Sequence, residues 1–120
     1  MKLKMLMILV TDFGEAKRFY RDILGFSVKS EEHNSLTFGH EGCDFVAFEC
    51  DKNASVRDYG NEARSVFVFE VRSVDATFLD LKSKGVKFLH TQPNQNHLGK
   101  YAAFVDPFGN IHEILEPAAA

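Results

Sequence analysis

The sequence has no tryptophan, three prolines and two cysteines. Cys43 and Cys50 lie an odd number of positions apart in what reads as one strand, so their side chains fall on opposite faces, too far apart to bond. Free thiols suit a reducing compartment, and the cytoplasm is the expected location. Charge of one sign is also lacking. The 14 basic and 17 acidic residues leave a formal net charge of −3, which gives no electrostatic reason to expect a nucleic-acid partner. No Lys/Arg cluster is dense enough to expect a membrane surface as partner. The apolar run that follows the basic flank Met1-Lys2-Leu3-Lys4 ends at Asp12, too short for a membrane span and without a small-residue cleavage site. Gly39-x-x-Gly42 is not followed by the Lys-Ser/Thr of a phosphate loop, no Gly-x-Ser-x-Gly occurs, and neither cysteine has an activating neighbour in sequence.

What is present is enough apolar material for one core. Of 120 residues, 45% are hydrophobic and 12 are Phe, so the core is expected to be Phe-rich and any pocket to have aromatic walls. Met5–Val10 reads as a buried strand. Thr11 or Asp12 caps a following helix with Glu15 as capping-box partner, Ala16, Phe19, Tyr20, Ile23 and Leu24 recur at helical spacing, and Gly25 ends it. Strands are expected over 26–31, 35–39 and 43–50. After a polar linker, 51–63, the order returns: a strand over 65–71, a helix over 74–84 closed by Gly85, and strands over 86–90, 100–105 and 111–116. Residues 91–98 read as a polar loop.

The chain therefore reads βαβββ twice, an α+β fold. The repeat shows in residues as well as in element order. Leu24-Gly25-Phe26 corresponds to Lys84-Gly85-Val86, and the offset that sets Gly109 on Gly42 sets Glu116 on Glu49. A unit this short cannot bury its own sheet face and needs a second. One domain over 1–117 is expected, with halves of about 1–50 and 64–117, and residues 118–120 as a tail.

Two motifs carry a family resemblance. The first half has Asp12-x-x-x-Ala16-x-x-Phe19-Tyr20-x-x-x-Leu24-Gly25-Phe26. The second has Gly99-x-x-x-x-Phe104-x-Asp106-Pro107-x-Gly109-Asn110-x-x-Glu113. Together they resemble a single-module vicinal oxygen chelate domain of the glyoxalase, bleomycin resistance and extradiol dioxygenase superfamily. The resemblance implies that the two halves form a curved mixed-sheet cup, that a ligand lies inside it, and that the chain forms a homodimer. The motif residues themselves speak for packing and turns more than for a reaction.

The resemblance also implies where a divalent metal would be held: on the first and last strand of each half. Those positions fall on Met5, Val46, Val66 and Glu113. A thioether, two aliphatic chains and one carboxylate do not suit a transition-metal ion, so no metal cofactor is expected. Glu113 reads either as a family relic or as a lone pocket carboxylate, able to hold a cation or act as a base. Tyr101, two past Gly99, is a candidate for orienting a ligand, or else a core tyrosine. His97 is the foremost histidine candidate, at the pocket edge by resemblance. His33 and His40 read as solvated, His90 as a strand end, and His112 has the strand parity opposite to Glu113. Arg57 and Arg64 could meet an anion or simply be solvated.

Three functions compete: a metal-independent protein that binds a small aromatic or antibiotic-like molecule, a divalent-metal glyoxalase-like lyase or isomerase, and a metal-free enzyme using Glu113 or Tyr101. Binding without turnover marks the first, loss of activity on chelation the second. Activity that survives chelation but not Glu113→Gln marks the third.

Overall fold

The computed structural model describes residues 1–39, 41–50 and 66–119. The linker 51–63, Arg57, Arg64 and His40 lie outside the described residues. The chain divides into two compact units, Met1–Val56 and Arg57–Ala120. Each carries an open, mixed sheet, and the class is α+β.

The first unit holds β1 (Met7–Val10), α1 (Phe13–Ala16), β2 (Ser27–Glu31), β3 (Ser35–Gly39) and β4 (Phe45–Glu49). The sheet order is β1-β4-β3-β2, with β1 parallel to β4 and the other pairs antiparallel. Asp12 caps the helix by accepting from the Glu15 N–H at 3.0 Å. The helix then widens into π-type turns over Lys17–Ile23, seen in the Leu24 N–H bond to the Phe19 carbonyl five residues back. A wider turn reduces the angle between successive side chains, so the neighbours Phe19 and Tyr20 are both buried. Their rings meet edge to face at 5.1 Å, and Tyr20 also contacts Phe38 and Phe45. Helical spacing alone predicts an ordinary α-helix here.

The second unit holds β5 (Phe67–Glu70), α2 (Val74–Ser83), β6 (Lys87–Phe88), β7 (Asn94–Asn96), β8 (Gly99–Val105) and β9 (Ile111–Pro117). Its order is β5-β9-β8-β6, and β7 also pairs with β8. The polar loop expected over 91–98 therefore contains a short strand, held by its partner rather than by β-propensity. Ser73 and Glu116 share the start of α2. The Ser73 hydroxyl accepts from the Ala76 N–H at 3.1 Å, and Glu116 Oε1 accepts from the Val74 N–H at 3.0 Å. The helix buries Val74, Phe78 and Leu81. On the sheet, Ala102, Phe104, His112 and Ile114 are buried.

Both cysteines are free and lie just outside β4. No helix among the described residues is long and apolar enough to cross a membrane.

Candidate functional site

Strand parity sorts each sheet into two faces. In the first unit Ile8, Val10, Phe45 and Ala47 are buried. Met7, Leu9, Val46 and Phe48 alternate with them and stay at least partly exposed. Across the ladder Met7 stands beside Val46 and Leu9 beside Phe48, with Thr37 and Ser35 on the far side of that pair of residues. At its edge this second face carries the Lys29–Asp44 ion pair, at 2.9 Å, beside Gly39.

In the second unit the face toward α2 carries Phe67, Phe69, His112, Ile114 and Phe104. His112 lies 5.3–5.6 Å from the rings of Phe67, Phe69 and Phe104. Burial pushes its imidazole down to about 4, against the opposing pull of the nearby Asp106 charge. It is therefore a neutral core residue near pH 7.

The opposite face carries Glu113. Its neighbours across the ladder are Val68 on β5 and Ala103 on β8. One pleat along, Leu115 lies between Glu70 and Tyr101, and Tyr101 in turn pairs with Asn94. The Tyr101 ring meets that of His90 edge-on at 6.4 Å. Glu113, Tyr101, His90 and Asn94 are all half-buried. The structure thus gathers Glu113 and Tyr101 on one face. His97 is exposed, in the turn between β7 and β8, and is not among them.

The four positions implied for a metal are also placed. Val46 and Glu113 occupy their strands, while Met5 and Val66 precede β1 and β5, each by two residues or fewer. The residues directly across from Val46 and Glu113 are Met7 and Val68. Moving the assignment two residues along the first strand exchanges Met5 for Met7 and Val66 for Val68 and adds no donor. Either set offers one carboxylate, which does not fit a divalent transition-metal ion. Among the described residues no group of three or more His, Cys, Asp or Glu side chains could hold a metal.

The terminal motif has a structural use. Buried Asp106 accepts from the N–H groups of Phe108 and Asn110 and from Asn110 Nδ2, at 2.7–2.9 Å. Gly109 takes a positive φ of 91° in that turn. Sequence reading missed Glu70, His90 and Asn94 as companions of Tyr101 and Glu113. The first was legible from the Phe67/Phe69 alternation. The other two depend on β7 and on the path of the chain after β6.

A family model described as Glyoxalase/Bleomycin resistance protein/Dioxygenase superfamily matches residues 2–114. YraH of Bacillus subtilis (strain 168) is 30% identical over 126 residues, which cover 97% of this chain and 98% of YraH. Two solved structures share the fold. The fosfomycin resistance protein FosX from Listeria monocytogenes has a TM-score of 0.74 at 18% identity, covering 96% of this chain and 92% of FosX. TnmS3, an antibiotic binding protein from Streptomyces sp. CB03234, has a TM-score of 0.69 at 22% identity, covering 98% of each chain.

Proposed function

This chain belongs to the glyoxalase/bleomycin resistance protein/dioxygenase superfamily, and we propose that it is a cytoplasmic, homodimeric member that binds a small, partly aromatic molecule without a metal ion. A fold shared with both a fosfomycin resistance protein and an antibiotic binding protein does not choose between chemistries. The residues have to choose.

The observation that carries the reading is the donor set. Met5, Val46, Val66 and Glu113 fall at the positions that the family resemblance implies for a metal, and Met7 and Val68 are the ladder neighbours of Val46 and Glu113. Three of the four positions are apolar. Side chains of that kind cover a ligand's hydrocarbon surface at about 25 cal/mol for each Å² taken from water. Met7 at 52% and Val68 at 51% exposed have that surface to offer. A few polar groups, here Tyr101 and Glu113, are what such a site needs for orientation.

Acridine, followed by its fluorescence, is a suitable first probe. Saturable binding that is unchanged after exhaustive dialysis against EDTA is expected. Absence of saturable binding, or binding that disappears with EDTA and returns with Mn²⁺, would overturn the reading.

A further inference from the structure

We propose that the face formed by β5, β9 and β8 selects ligands in which a protonated amine is joined to an aromatic or apolar body. The inference rests on the binding reading above and specifies the ligand class of the same residues. Four observations combine. Glu113 stands half-buried between Val68 and Ala103, so its carboxylate is set among apolar neighbours. Glu70, on the same face, flanks Leu115 one pleat away and is exposed. The Tyr101 ring, braced edge-on by His90, lies on the diagonal from Glu113, a separation of roughly 7 Å that aromatic and long side chains span. Ala103, between them on β8, adds only a methyl group.

The lysine nearest in sequence is turned elsewhere. Lys100 has the opposite parity to Tyr101 and pairs with Asp75 of α2 at 2.8 Å. Among the described residues neither carboxylate on this face is ion-paired with a lysine or arginine, whereas Lys100 pairs with Asp75 and Lys84 with Asp80. A cation placed here donates a charge-assisted hydrogen bond to Glu113 and gains the face of the Tyr101 ring. Lys87 shares this face but stands on the outer strand β6 opposite Val105, two strands from Glu113, and is exposed, so an anion beside Glu113 and Leu115 is flanked by two carboxylates. Partial burial makes the Glu113 contact count for more than a pair in bulk water.

The test compares 9-aminoacridine, a cation at pH 8 whose amino group shares the positive charge of the protonated ring nitrogen, with acridine, neutral at pH 8, on the full chain. The expected result is about tenfold tighter binding of the amine, the size of one charge-assisted hydrogen bond. Glu113→Gln should remove most of that preference, read as the ratio of the two affinities measured on the same variant. Glu70→Gln, at an exposed position where folding is not at stake, should reduce it by a smaller factor. The preference should also shrink as salt rises from 50 to 500 mM. If acridine binds and the amine binds no better, the cation inference falls and the binding reading stands. If neither binds, both fall. If Glu113→Gln and Glu70→Gln both keep the full preference while remaining folded by circular dichroism, the cation is recognised elsewhere and the inference is overturned.

Discussion

His112 is the residue whose chemistry and place are most at odds. An imidazole packed among Phe67, Phe69 and Phe104 must stay neutral, and burial holds it at about 4. In the unfolded chain a histidine titrates near 6.5. Between those values the unfolded state binds the extra proton, so the contribution of His112 to stability is complete above about pH 6.5 and is lost as pH falls toward 4. The loss attributable to this one group between pH 7 and 4.5 is about 2.5 kcal/mol. His112→Phe, which fits the aromatic surroundings, should flatten that part of the profile. Urea midpoints for both proteins at the two pH values measure it, and an unchanged pH slope in the variant would remove His112 as the cause. At this scale Glu113 was legible as a candidate from motif and parity. The company it keeps was only partly legible, because which side chains stand beside it depends on ladder register, and register is a property of pairs of strands.

At the scale of elements, the helices and most strands followed from periodicity, caps and turn residues. Two features did not. The π-type turns of Lys17–Ile23 bury Phe19 and Tyr20, and apolar residues at those positions also satisfy α-helical spacing, so the pattern cannot separate the two. Strand β7 consists of Asn94, Gln95 and Asn96, which have weak strand preference, and its existence is decided by β8. Glu116 shows the reverse case, a signal visible in sequence whose meaning came from structure. Its match to Glu49 marked the repeat, and its carboxylate is found accepting from the first N–H of α2. Glu116→Ala should therefore cost about 1–2 kcal/mol in urea unfolding, while Glu116→Gln, which keeps an acceptor oxygen, should recover at least half of that. Equal losses in the two variants would show that the cap is not what Glu116 contributes.

Over the whole molecule, the duplication is the strongest signal. The offset that sets Val71 on Val10 sets Val68 on Met7, and the offset that sets Gly109 on Gly42 sets Glu113 on Val46. Met7 with Val46 and Val68 with Glu113 are also the pairs found in register. The two units thus present equivalent positions with different chemistry, one wholly apolar and one bearing a carboxylate. A metal bound to the native state would stabilise it through mass action. With this donor set, the thermal midpoint should move by less than about 1 °C on addition of EDTA, Mn²⁺, Ni²⁺ or Zn²⁺, since even 100-fold saturation of a real site adds about 2.7 kcal/mol, several degrees for a chain of this size. A rise of that order with any one ion would return the metal-dependent alternative to first place.

The alternation along β8 and β9 has a consequence for how such a protein can change over generations. His112, Ile114, Ala102 and Phe104 maintain the interior, while Glu113, Leu115, Tyr101 and Ala103 lie between them on the other side. The two sets are interleaved yet separable, so substitutions can rewrite the second without a word of the first being altered. A one-residue insertion or deletion within either strand would exchange them, sending Glu113 toward the helix and His112 out. Lineages of this fold are therefore free to acquire new ligands by point substitution in these strands, and confined to their loops when they change length.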